Sequence, residues 1–131
     1  MDKTILTKLV IKEAKALKKN ATKAERSRLN FASLNPEQSY FCIYGQLTGD
    51  CWSIRATKLI RECAERVYVQ HGSDPLDECE LNGKPTPTTD REYFSPIECF
   101  IYFKKNKRNG NNKNLIDYLS GKSKKLIINK F

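Results

Sequence analysis

The chain has 131 residues and a net charge of +9, with 39% apolar and 30% charged residues. That balance excludes a disordered chain and predicts one folded domain, 1–131, large enough to need no disulfide or metal. No run of about 18 apolar residues is present, and "MDKTILTKLVIKEAK" lacks the apolar core and cleavage site of a secretory signal.

The five cysteines, Cys42, Cys51, Cys63, Cys79 and Cys99, are odd in number and contain no C-x-x-C pair. We therefore expect reduced thiols, several of them in the core, and a cytoplasmic location. Charge is unevenly placed. Residues 1–30 carry nine Lys/Arg against three Asp/Glu, and residues 101–131 carry nine against one. Residues 31–69 are neutral, and residues 70–100 carry two against seven. Two basic ends around an acidic stretch point to an anionic partner.

In chain order, Leu6, Leu9, Val10, Ala14, Leu17, Ala21 and Ala24 give the three-four spacing of a long basic helix over 4–29, weakest at Asn20. Residues 36–69 read as a helical hairpin. Asn35 and Pro36 would start a helix to about Leu47, with Tyr40, Phe41, Ile43 and Tyr44 on it and Gly49 as a left-handed cap. Asp50 would cap a helix from Cys51 to Val69, with Trp52, Ala56, Leu59, Ile60, Cys63 and Val67 as its apolar stripe. Its outer face would pair Lys58 with Glu62, Arg61 with Glu65 and Glu62 with Arg66.

Residues 70–94 form a long acidic loop in which "LNGKPT" could make a turn or hairpin. Ser95, Pro96 and Glu98 spell a capping box for a helix burying Ile97, Phe100 and Ile101, with Tyr102 beside them. A basic turn, "KKNKRNGNNKN", leads to a short helix from Asn114 to Ser120, and "KSKKLIINKF" reads as a strand or helix. The predicted fold is thus mainly α: a compact helical bundle of about five helices, with the acidic loop and room for a minor β hairpin. Its parts are the basic N-terminal helix (1–30), the hairpin (36–69), the loop (70–94) and the basic C-terminal helical segment (95–131).

Four constellations bear on function. Cys51, at an expected helix N-terminus, is the best-placed reactive thiol, yet His71 is the only histidine and no base is indicated. Asp74, Asp77, Glu78, Glu80 and Asp90 could bind Mg²⁺ or Ca²⁺, but without the alternating ligand spacing of an EF-hand. They equally suit contact with a basic protein surface, and we expect no bound metal or other cofactor. The hairpin allows a helix-turn-helix reading with Arg55, Lys58 and Arg61 facing a major groove. The sharpest signal is Lys104, Lys105, Lys107 and Arg108 among asparagines and aromatics, extended by Lys122, Lys124 and Lys125 and by Lys12, Lys15 and Lys19. No catalytic motif appears, so a metal-dependent nuclease is the weaker reading and no catalytic residue is assigned.

The expectation is a non-enzymatic small basic protein that contacts nucleic acid or a host nucleoprotein through its lysine-rich ends. The alternative is an inhibitor or adaptor, such as a phage counter-defence (anti-CRISPR-like) protein, whose basic surface would occupy a nucleic-acid channel on a host nucleoprotein, or which would dock there through Asp74, Asp77, Glu78 and Glu80 and exposed aromatics.

Overall fold

The basic N-terminal segment folds as α1, Lys3–Asn20, in the computed structural model, which describes residues 3–35, 38–65, 67–70, 79–81, 91–104 and 110–128. Leu6, Val10, Ala14 and Leu17 recur on one side of α1 and are all buried. The single helix expected to residue 29 is broken after Asn20, whose Nδ2 donates back to the Ala16 carbonyl at 2.9 Å. A second helix, α2 (Lys23–Ser27), then starts from a reciprocal capping box. Thr22 Oγ1 accepts from the Glu25 N–H at 3.0 Å, and Glu25 Oε1 accepts from the Thr22 N–H at 2.9 Å. This T-x-x-E signature overrides the apolar spacing that ran through it. Ala24, expected on the stripe, is exposed.

The hairpin is shorter than its spacing predicts. After a 3-10 turn at Phe31–Ser33 come α3, Ile43–Thr48, and α4, Ile54–Cys63. Cys42, not Asn35, caps α3: its Sγ accepts from the Gly45 N–H at 3.3 Å. Pro36 and Glu37 lie outside the described residues. Tyr44 and Leu47 are buried as expected, but Tyr40 and Phe41 precede the helix and are exposed. Gly49 ends α3 at φ +94°, the left-handed cap expected there. Asp50 does not cap α4. Its Oδ1 accepts from the Trp52 N–H at 3.0 Å, and Ser53 Oγ caps instead, accepting from Ala56 at 3.1 Å. Trp52 therefore sits outside the helix and outside the core.

The helix expected to reach Val69 ends at Cys63, because Val67–Gln70 form β1. This β-branched and aromatic run is the central strand of an antiparallel sheet of order β2-β1-β3, with β2 at Cys79–Leu81 and β3 at Arg91–Phe94. Tyr68 lies opposite Glu80 on one side and Tyr93 on the other. Two ladders of backbone hydrogen bonds outweigh the helical spacing of Val67. After Leu81, the turn expected at "LNGKPT" lies outside the described residues.

The last two helices are α5, Pro96–Lys104, and α6, Gly110–Ser120. Ser95 Oγ accepts from the Glu98 N–H at 3.2 Å, as its motif predicts. Helix α6 begins before Asn114, and Asn114 serves a different end. Its Nδ2 donates to the Lys125 carbonyl at 3.2 Å and its Oδ1 accepts from the Ile127 N–H at 2.6 Å. That clamp holds residues 122–128 as an irregular tail where a strand or helix was expected, with Leu126 and Ile128 packed on the core. The chain is mainly helical, as predicted. Its core draws on α1, α3, α4, α5 and α6, centred on Tyr44, Leu47, Leu59, Phe100 and Leu115.

One glycine sets the geometry of the exposed end of this hairpin. A Cβ on Gly45 would lie 2.1 Å from the Ser39 carbonyl oxygen, which also accepts from the Cys51 N–H at 2.9 Å. Gly45→Ala is expected to cost roughly 1–3 kcal/mol, seen as a lower urea midpoint. An unchanged midpoint would mean that the turn retreats freely.

Candidate functional site

Two buried carboxylates lie at the centre of the bundle. Glu13 is 1% exposed and Glu98 is 7% exposed. Glu13 Oε2 accepts from the Tyr44 hydroxyl at 2.5 Å, and its Oε1 accepts from the Ile97 N–H at 2.8 Å, in the first turn of α5. Glu98 does not reach back to complete its own capping box. Its Oε1 accepts instead from the Tyr44 N–H at 3.4 Å, in the first turn of α3. Each carboxyl thus satisfies a helix N-terminus on another element. Burial raises Glu13 to about 8, against the lowering effect of its hydrogen bonds. Burial likewise raises Glu98 to about 7. Enclosed on all sides, the pair suits internal cross-linking of α1, α3 and α5 rather than chemistry on a substrate. Glu13 was missed by sequence reasoning, although it falls on the same face as Val10 and Leu17.

Three of the thiols are not activated. Burial is the largest influence on Cys42, Cys51 and Cys63 and pushes all three up. Cys51 also lies before the capping residue of α4, not at the helix N-terminus expected for it. Cys42, Cys51 and Cys63 carry free thiols. Among the described residues no group of three or more His, Cys, Asp or Glu is arranged to hold a metal. None of the helices is long and apolar enough to cross a membrane, among the described residues.

The surface charges are arranged by helix packing. Helices α1 and α4 run antiparallel: Arg55 Nη2 donates to the Asn20 carbonyl at 3.1 Å near one end, and Lys12 lies 3.7 Å from Glu65 near the other. Arg55 also holds Glu25 in a two-pronged ion pair, Nε to Oε2 at 2.9 Å and Nη2 to Oε1 at 2.8 Å. Arg55 is therefore engaged within the fold, which removes one of three side chains from the helix-turn-helix reading. Among the described residues these are the two ion pairs. The pairs expected along α4, Lys58–Glu62 and Arg61–Glu65, are not formed. Glu65 lies beyond the end of α4, and exposed pairs gain too little to hold long side chains together. Arg66 lies outside the described residues.

Lys58 and Arg61 thus stand exposed and without an ion pair among the described residues. These two contacts place Lys15 level with Arg61, and Lys19 level with the turn carrying Lys58. Lys8, Lys15 and Lys19 lie on the crest of α1 opposite its buried stripe and are exposed. On the other flank Lys18 Nζ sits 4.1 Å from the centroid of the Tyr118 ring, joining α1 to α6. Lys122, Lys124 and Lys125 follow α6 directly and are exposed.

Of the other sequence-predicted residues, Lys104 is the last residue of α5, and Glu80 pairs with Tyr68 in the sheet. Lys105, Lys107 and Arg108 lie outside the described residues, as do Asp74, Asp77 and Glu78, together with His71 and Asp90.

A shallow groove runs along the outer face of α4, lined by Trp52, Ile54, Thr57, Lys58, Arg61 and Glu62. Trp52 is 82% exposed and Ile54 is 91% exposed. The Ser39–Cys51 hydrogen bond brings the turn bearing Tyr40, 62% exposed, beside the one bearing Trp52. The spacing of Trp52 predicts a core position. The Asp50 turn and the Ser53 cap displace it. No protein-family model, curated protein or solved structure matches the chain.

Proposed function

We propose that this is a non-enzymatic, cytoplasmic binding protein that contacts nucleic acid, or a nucleoprotein, through one basic face. The observation that supports this reading is the antiparallel register of α1 and α4. It lines Lys15 and Lys19 up with Arg61 and Lys58, none of which forms an ion pair among the described residues, and Glu62 is the one carboxylate lining the groove beside Lys58 and Arg61. Lysines dominate the row, which suits phosphate attraction more than base recognition. Lys12 stands at the edge of this face, held by Glu65. Lys122, Lys124 and Lys125, exposed after α6, are proposed as further phosphate contacts, as are Lys104, Lys105, Lys107 and Arg108.

The reading is tested by anisotropy with labelled single- and double-stranded DNA and RNA at low salt. Binding is expected, and no binding to any of the four would overturn it. A second reading, an inhibitor docking on a host nucleoprotein, draws on the exposed Trp52, Ile54 and Tyr40. It would use Asp74, Asp77, Glu78 and Glu80 as further contacts. It predicts a stoichiometric protein complex that survives high salt, whereas phosphate contacts are lost there.

A further inference from the structure

We infer that the groove on α4 is a stacking site for unpaired bases, so that the protein takes single-stranded nucleic acid. This rests on the nucleic-acid reading above and specifies its ligand. Three features carry it. The Trp52 ring is held out of the core by its backbone, through the Asp50 turn and the Ser53 cap, and is four-fifths exposed. Among the described residues no cation covers its face, since the ring–cation contact found is Lys18 on Tyr118. The groove beside it carries two cations, Lys58 and Arg61, against one carboxylate, Glu62.

An exposed aromatic face next to a row of cations is the arrangement that single strands use. The base gives up water to lie on the indole, and the backbone phosphates follow the positive row. Here that row continues from Lys58 and Arg61 onto Lys19 and Lys15 of α1. Ile54 widens the apolar floor at the end of the row. A duplex keeps its bases stacked inside and offers Trp52 nothing to cover it, so it would engage only the lysines. A protein partner would meet the same shelf, but the flanking charge favours a polyanion.

Trp52 is the only tryptophan in the chain, so its fluorescence reports this site alone. Strands of about 15 nucleotides, oligo-dT and oligo-rU, and a duplex of equal length would be titrated at low salt. Trp52 emission and the anisotropy of a labelled strand would be followed together. Quenching by a single strand is expected, saturating with the anisotropy, while the duplex binds without quenching. The DNA and RNA arms decide which strand is preferred. Trp52→Ala is expected to weaken single-strand binding about tenfold and to leave duplex binding unchanged. Trp52→Phe should retain most of the affinity.

Anisotropy that rises while Trp52 emission stays fixed would overturn the stacking site and leave the nucleic-acid reading standing. No anisotropy change with any probe would overturn both. A blue shift that grows with protein concentration, without nucleic acid and with sedimentation as a dimer, would assign the shelf to a second copy of the chain and overturn the inference.

Discussion

Raising the pH from about 5 to about 8.5 is expected to lower the unfolding free energy by on the order of a few kcal/mol, and Glu13→Gln should remove much of that slope. Glu13 and Glu98 are buried at the junction of α1, α3 and α5, and burial lifts them from 4.5 to about 8 and about 7. Both values are raised, so the folded state holds these protons more tightly than the unfolded chain. The stability they contribute is complete below about pH 4.5 and is lost as the pH climbs through 7 and 8. Glutamine copies the shape of the protonated Glu13. Its carbonyl oxygen can still accept from the Ile97 N–H, and its amide can donate to the Tyr44 oxygen. Glu13→Ala would leave that N–H and that hydroxyl unsatisfied and should destabilise at every pH. Urea unfolding at several pH values reads all three. A wild-type midpoint that stays flat or rises over this range would show that the two carboxyls are ionised within the fold.

The same junction shows what could and could not be read from the residues. The apolar spacing of α1 and the Ser95–Glu98 signal located two helices, because both are local patterns. Gly49 was legible as a left-handed cap for the same reason. Glu13 was not, because its partners, Tyr44 and Ile97, are 31 and 84 residues away. Trp52 and Val67 misled in the same way. Both fit a helical stripe, but one was taken by a turn built on Asp50 and the other by strands far along the chain. The basic residues were legible as a composition. Their alignment depends on how antiparallel α1 and α4 pack through Val10, Ala14, Leu17, Ala56, Leu59 and Cys63, which no local pattern encodes. The separation of α1 from α2 was legible in T-x-x-E and lost to the stronger periodicity.

Charge reversal on that aligned row should have the largest effect on binding. Lys15→Glu, Lys19→Glu, Lys58→Glu and Arg61→Glu combined are expected to reduce low-salt affinity about a hundredfold or more, and to flatten the salt dependence. All four side chains are exposed, so stability should change little. Arg55→Glu is the informative contrast. It breaks the pair with Glu25 and should lower stability by about 1–2 kcal/mol. Any loss of binding in that variant should follow its loss of fold. If the four-fold variant binds as the wild type does, the row on α1 and α4 is not the contact surface, whatever else binds.

The most direct test of the basic face is the affinity of the wild-type protein for a labelled single strand across a salt series. The logarithm of the binding constant should fall linearly with the logarithm of salt, at about −0.7 per phosphate neutralised on a single strand. Four to six contacts would give a slope near −3 to −4. Affinity that is absent at low salt, or that persists unchanged at high salt, would contradict a phosphate-binding face.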